Sequence, residues 1–260
     1  MSLLSSTALA QTIAMPEAQQ SPPAATDSGT TGDIVVTAQR REEGASKVPI
    51  SIATYSQAQM DRQGIRKIDD IARLTPALTF NNTAGVNANN GTNIAIRGVA
   101  SEVGSATTAV YIDDTPIQIR NIGYLGGNPY PRVFDLERVE ILRGPQGTLF
   151  GASAEGGAVR FISAQPRFDT TSIYARIEGS TIDRGSQNYE GGVAVGGPLA
   201  GNFAVRASGW IRKDGGYIDQ VTPQTETVVA HDVNSQRTYV GKVAVSWRPV
   251  PELTITPAVY

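Results

Sequence analysis

The sequence predicts an α+β domain over residues 47–166 followed by antiparallel transmembrane β-barrel strands over residues 167–260. Three observations carry this reading. Short strand-like runs and helix signals are mixed before Pro166. After it, strict alternation of apolar and polar residues takes over. The third observation is one alternating run whose apolar face starts at Tyr239 and ends at Trp247. At ~3.3 Å per residue and a tilt of about 40°, that spacing is roughly 20 Å along the membrane normal, close to the separation of the aromatic girdles of an outer-membrane barrel. A soluble sandwich also alternates, but does not need aromatics at both ends of one face.

Composition narrows the function classes. A net charge of −2 gives no basis for nucleic-acid binding by bulk charge. No run of about 18 apolar residues is present, so a membrane role requires strands closed into a barrel. The 27 glycines suit tight turns and closely approaching strands, and the absence of cysteine fits a periplasm-facing chain only weakly. Residues 1–32 read as a signal-peptide remnant and a disordered leader. Ala8-Leu9-Ala10 before Gln11 resembles a signal-peptidase site, although no basic residue precedes it, and a plain disordered tail fits nearly as well. Residues 11–32 are rich in Pro, Ala, Gln, Ser and Thr and carry too little apolar surface to order themselves.

Within 47–166 the elements follow in order. Val48 to Tyr55 alternates as a strand. Ser56 with Gln59 forms a capping box for a short helix ending near Gly64. Ile65, Ile68, Ile71, Ala72 and Leu74 stripe a second helix that stops before Pro76. Ile94–Ile96 and Val110–Ile112 are further strands, set between loops rich in Asn, Gly and Pro. Asp113-Asp114 before Pro116 reads as a turn rather than a metal or acid–base pair, because adjacent strand residues point to opposite faces.

Beyond Pro166, Ile173, Ala175 and Ile177 oppose Tyr174, Arg176 and Glu178. Tyr189, Gly191, Val193 and Val195 share a face. Phe203, Val205, Ala207 and Ile211 oppose Arg206, Ser208 and Arg212. Tyr239, Val243, Val245 and Trp247 oppose Lys242, Ser246 and Arg248. Leu253, Ile255 and Val259 begin a fifth strand. Gly196–Gly201 and Arg248–Glu252 read as tight turns, and Lys213–Gln236 as a long polar loop. Five strands cannot close a barrel whose smallest members have about eight, so the chain reads as an N-terminal piece of a longer, truncated barrel.

No catalytic set is apparent, and the expectation is a protein that is not an enzyme and needs no cofactor or metal. His231 is the only histidine and lies in the polar loop. The glycine-rich run from Gly144 to Gly151 lacks the Gly-Lys-Ser/Thr ending of a phosphate cradle.

Two motifs are more informative. Glu137 to Ser163 places a bend, Arg143-Gly144-Pro145-Gln146-Gly147 through Gly151, Gly156 and Gly157, between strand-like runs at Val139–Leu142 and Ala158–Ile162. Upstream, Asp33-Ile34-Val35-Val36-Thr37-Ala38 is a β-prone patch beside the leader. By spacing alone it reads as the domain's first strand; an extended peptide of this kind also adds to a partner's sheet edge. With Ile94-Ala95-Ile96-Arg97-Gly98 and Tyr111 to Pro116 between them, the order of these motifs resembles the TonB-dependent outer-membrane receptor family. Ala152-Ser153-Ala154-Glu155 departs from the basic and polar residues more usual there.

The resemblance implies a plug domain at 47–166, inside a barrel of about 22 strands. It implies that Asp33 to Ala38 are an exposed energy-coupling box, within a segment 33–46, that pairs with a TonB-type periplasmic energy transducer. It also implies that Arg97 and Arg143, beside Gly98 and Gly144, pair with barrel carboxylates lying beyond Tyr260, and that Gly144, Pro145, Gly147, Gly151, Gly156 and Gly157 shape the gating bend. The expected setting is the bacterial outer membrane, in contact with its lipid, with the plug and N-terminal arm reachable from the periplasm. The expected function is energy-coupled import of a scarce nutrient, by family default a ferric siderophore. Glycans, cobalamin or other organic nutrients are alternatives, and a periplasmic signalling or interaction module without transport is an alternative of another class. No nucleic-acid partner is expected.

Overall fold

The structure is a computed structural model and describes residues 35–37, 41, 43–81, 93–100, 105–117, 130–183 and 185–260. The leader, Asp33, Ile34 and Ala38, and most of the two loops around residues 82–92 and 118–129 lie outside the described residues. Val35–Val36 (β1) pairs antiparallel with Glu43–Gly44 (β2). Next comes Ser51–Ser56 (β3), which leads into Gln57–Arg62 (α1) through the expected capping box. The Ser56 hydroxyl accepts the Gln59 N–H at 3.3 Å, and the Gln59 carboxamide accepts the Ser56 N–H at 3.0 Å. The second helix, Ile68–Leu74 (α2), starts where Asp70 accepts the backbone N–H groups of Arg66 and Lys67 at 2.9 and 3.1 Å. It stops at Thr75, whose backbone is extended, as the residue before Pro76 prefers.

Leu78–Asn81 (β4) and Asn93–Ile96 (β5) form an antiparallel pair. The remaining strands of the first region are Thr108–Ile112 (β6), Thr115–Pro116 (β7), Leu136–Arg143 (β8) and Gly157–Ser163 (β9), with a single helical turn, Gly147–Phe150 (α3), in the bend. The sheet order is β3-β8-β9-β6-β7, and only β6 and β9 run parallel. Its two faces differ. Val139, Ile141, Val159, Phe161 and Val110 pack under α1, α2, β4 and β5. Leu142, Ala158, Ala109 and Tyr111 face the other way, with Phe150, Ala154 and Val36. Glu140 of β8 and Arg160 of β9 are cross-strand partners, and their side chains are buried.

The second region is a curtain of long strands: Ser172–Thr181 (β10), Gln187–Ala200 (β11), Phe203–Asp214 (β12) and, after a small hairpin of Gln220–Val221 (β13) and Val228–Ala230 (β14), Gln236–Val250 (β15). Leu253–Ile255 (β16) and Ala258–Val259 (β17) both pair with β15. The expected fifth strand is thus interrupted, at Thr256-Pro257, where proline has no N–H for the ladder. Two further differences stand out. Gly196–Ala200 is not a turn: β11 runs through it, with a register shift between Pro198 and Ala200 that places the proline at the irregular strand end. The long loop also contains the β13–β14 hairpin, too short to show as alternation.

Polarity in the curtain is inverted relative to a soluble sheet. Ile177 is 90% exposed and Tyr239 67%, whereas Arg206, Glu190 and Lys242 on the opposite face are buried. An apolar outer face and a polar inner face are what a barrel wall in hydrocarbon requires. Among the described residues no helix is long and apolar enough to cross a membrane.

Candidate functional site

The polar face of the curtain seats the α+β domain. Asp135, which immediately precedes β8, receives Arg206 of β12: Nε donates to both carboxylate oxygens at 3.1 and 2.9 Å and Nη2 makes a further contact, while Nη1 reaches Ser172 at 2.9 Å. Phe134 sits next to it, stacked on Trp210 at 6.2 Å and beneath the Arg176 guanidinium at 5.4 Å. Gly192 makes room for that ring, because a Cβ there would come within 2.5 Å of it. From α1, Asp61 accepts hydrogen bonds from Tyr174 at 3.1 Å and from Arg176 at 3.2 Å. Arg66 donates to Glu178 at 2.9 Å, and Glu190 takes Arg176 at 2.6 Å and Arg212 at 2.8 Å. On β15, Lys242 donates to the Ser163 hydroxyl and, at 3.0 Å, to the Ala164 carbonyl. Asp113 in the β6–β7 turn accepts from Ser163 and Tyr260.

These seat residues are not the ones the sequence motifs single out. Arg97 is exposed and its guanidinium lies over Gly144, 3.3 Å from where a Cβ would stand. Arg143 reaches the Pro76 carbonyl at 3.4 Å. Among the described residues, neither is in an ion pair, and the ion pairs that do hold the domain involve Asp61, Arg66 and Asp135 with wall residues well before Tyr260. The signal was present in the sequence. Arg176, Glu178, Arg206, Arg212 and Lys242 recur on one face of strands whose other face is apolar, a costly pattern unless that face meets a polar partner. Of the bend glycines, Gly98, Gly144, Gly151 and Gly157 adopt positive φ and Gly147 starts α3. Gly157 is the most constrained, since a Cβ would approach the Leu142 carbonyl oxygen to 2.1 Å. Gly156 sits tightly beneath Val99 and the carbonyls of Ile96 and Thr107, and Pro145 precedes the α3 turn.

Of the expected exposed patch the structure describes Val35 to Thr37. Val35 is exposed as expected, whereas Val36 is fully buried in the second core and Thr37 is half-buried. Thr37 is held on every polar group. Its N–H donates to Glu140 at 2.9 Å, and its carbonyl and hydroxyl each accept from Arg160 at 2.8 Å. Its hydroxyl also accepts from Arg138 at 3.2 Å. Glu140 joins the two arginines at 2.8 and 2.7 Å. The physical reason is the sheet face: three charged side chains on it need a lid that excludes water while satisfying their hydrogen bonds.

In the outer hairpin region Asp219 accepts the Asp232 N–H at 3.1 Å and contacts His231 at 2.9 Å. These two hydrogen bonds hold its carboxyl below the usual aspartate range. Among the described residues no group of His, Cys, Asp or Glu is arranged to hold a metal.

An α+β domain seated by ion pairs on the polar face of an antiparallel sheet, whose other face is apolar, defines a plugged outer-membrane barrel. Known proteins agree. The TonB-dependent receptor plug domain matches residues 45–158. The chain is 30% identical over 220 residues to the pesticin receptor of Yersinia pestis, covering 83% of this chain and 30% of that protein. It is 26% identical over 247 residues to the ferric enterobactin receptor PirA of Pseudomonas aeruginosa, covering 86% and 31%. Among solved structures, the ferric yersiniabactin uptake receptor FyuA from Yersinia pestis aligns with a TM-score of 0.60 at 26% identity over 79% of this chain and 30% of that one. The ferripyoverdine receptor of the Pseudomonas aeruginosa outer membrane, bound to ferripyoverdine, aligns with a TM-score of 0.66 at 25% identity over 85% and 26%. The chain belongs to the TonB-dependent outer-membrane receptors, a family of receptors and transporters rather than enzymes. It spans about 30% of the length of the curated relatives it matches.

Proposed function

We propose that the protein serves energy-coupled import across the bacterial outer membrane, with a ferric siderophore as cargo and a TonB-type transducer pulling on the segment Asp33 to Ala38. The observation that carries this reading is the plug seat. The domain is held to the wall by oriented, partly buried ion pairs, of which Asp135–Arg206 is the most enclosed, rather than by a continuous apolar core. Such pairs fix position strongly but contribute little net stability relative to an apolar contact. A plug held this way is well located and still separable under load. The cargo class follows the similar receptors, whose names specify ferric yersiniabactin, ferripyoverdine and ferric enterobactin. A vitamin B12 transporter of Vibrio vulnificus, 26% identical over 157 residues, keeps organic nutrients as the second reading.

Deletion of Ile34 to Ala38 tests the coupling. Uptake of cargo is expected to vanish while cargo binding at the cell surface is retained. Normal growth of the deletion strain on limiting cargo would sink the proposal. Competition among ferric siderophores and cobalamin for surface binding separates the two cargo readings.

A further inference from the structure

At the end of the wall that carries the long β12–β15 connection, the lipid-facing side stops being apolar. Lys213 of β12 and Arg237 of β15 are direct cross-strand partners there. Both have the outward parity of Ile211 and Tyr239, which form the next row of the sheet. Like charges placed opposite each other destabilise a sheet, and a charge on the lipid side is tolerated only near the edge of the hydrocarbon. Among the described residues neither cation is in an ion pair, and the neighbouring carboxylate, Asp214, is taken on the inner face by Arg212 at 2.6 Å. Lys213 lies over the Tyr189 ring, 5.9 Å from its centre.

The opposite edge of the apolar band is marked by Phe203 and Trp247, stacked at 6.1 Å. From Phe203 to Lys213, at ~3.3 Å per residue and a tilt of about 40°, the strand climbs about 25 Å along the normal, the height of the whole band. The cation pair therefore stands at the level of the lipid headgroups. Barrels of this kind keep their longer connections outside, which puts the pair in the outer leaflet. Beneath it, starting one row down where Gly191 pairs with Ile211, lies a shallow groove of about 530 Å³, lined in part by Ile177, Gly191, Val193 and Gly209. At both glycines a Cβ would meet nothing within 4 Å, so the groove is open on its lipid side.

We infer that Lys213 and Arg237 clamp a phosphate of the outer-leaflet glycolipid, lipid A, one of whose acyl chains lies in the groove below. Charge complementarity selects this occupant. A phosphate between the two cations turns a like-charge opposition into two attractions, with the guanidinium able to donate twice. A second copy of this wall, related by an axis along the membrane normal, brings the same two positive charges to the same height. Lipids of the inner leaflet meet the other end of the strands. The inference is independent of the cargo and of the coupling segment.

Native mass spectrometry of the full-length receptor in detergent, titrated with lipid A or with the same lipid stripped of its phosphates, tests it. Lipid A should bind the unaltered receptor more tightly than the stripped lipid. Lys213→Gln with Arg237→Gln should weaken lipid A by roughly thirtyfold, at the usual gain per cation at an anionic lipid surface, and leave the stripped lipid unchanged. Gly209→Leu fills the groove and should weaken both lipids. Arg248→Gln, at the far end of the wall where Arg248 stacks on Phe168 at 4.0 Å, should weaken neither. Heat-modifiable migration shows that each variant is folded. Equal binding of the two lipids to the unaltered receptor overturns the clamp without recourse to any variant. So does lipid A binding that ignores the double substitution or the filled groove, and so do receptor dimers that Gly209→Leu dissolves, which would make the groove a contact between copies.

Discussion

Replacing Asp135 with asparagine tests whether buried ion pairs seat the plug. Asp135 holds a φ of 54°, a left-handed backbone that asparagine tolerates, so the substitution changes charge and not conformation. In the native seat its carboxylate takes Arg206 through Nε at 3.1 and 2.9 Å, and the two side chains are only 3% and 7% exposed. In the variant, a guanidinium stays buried with the Ser172 hydroxyl at 2.9 Å and one carboxamide oxygen as acceptors. Removing one partner of a buried pair costs about 3–5 kcal/mol. The retained acceptors place asparagine at the lower end, about 3 kcal/mol, or roughly a hundredfold in the seated fraction. Trp210 is a local reporter, because Phe134 stacks on it 6.2 Å away, next to Asp135. Trp247 is the chain's only other tryptophan, and Trp247→Phe silences it. Urea titration of the protein in detergent micelles then follows the departure of Phe134 by Trp210 emission. Asp135→Asn should lower the release midpoint clearly, and adding Arg206→Met should recover most of the loss. The control is Asp169→Asn, whose 3.8 Å pair with Arg167 is 70% exposed on the aspartate side; its effect should stay within about 0.5 kcal/mol. A midpoint for Asp135→Asn no lower than that of the control would refute the argument.

Three smaller tests address other parts of the molecule. Gly157→Ala should open the β8–β9 ladder at the centre of the plug sheet, because its Cβ would meet the Leu142 carbonyl at 2.1 Å; a loss above about 4 kcal/mol is expected, seen as plug proteolysis in intact cells. Ser56→Ala should cost about 1 kcal/mol by removing the cap on α1, and hydrogen exchange at the Gln59 amide reports it. Asp219 has a folded-state pKa below its ordinary value of 3.8. Its contribution to the outer hairpin is therefore complete above about pH 4 and is lost as pH falls through the depressed value. Protease sensitivity of the hairpin should rise over that acid range, and Asp219→Asn should remove the pH dependence.

Much of the fold was legible because local chemistry and periodicity decide it. The Ser56–Gln59 box, the stop before Pro76 and the bend between β8 and β9 depend on residues within a few positions of one another. The wall strands were legible because their two faces meet different solvents, hydrocarbon outside and a polar plug inside, which stamps a period of two on the sequence. Irregular pairing was not legible: a register shift at Pro198, a break at Pro257 and a hairpin of two- and three-residue strands leave too few residues to show a period.

What the sequence alone determined was the inventory: which strands carry charge inward, where the plug ends its helices, and that a β-prone segment precedes them. It did not determine partners. Arg97 and Arg143 stand beside the motif's glycines, whereas Asp61, Arg66 and Asp135 pair with the wall strands of this chain, because contact with the wall depends on which plug surface faces the curtain. Likewise, Ile34 to Ala38 reads as an exposed strand. Only the tertiary structure brings Val36 and Thr37 onto the sheet face where Arg138, Glu140 and Arg160 stand unsolvated, and burying three charges makes that contact specific.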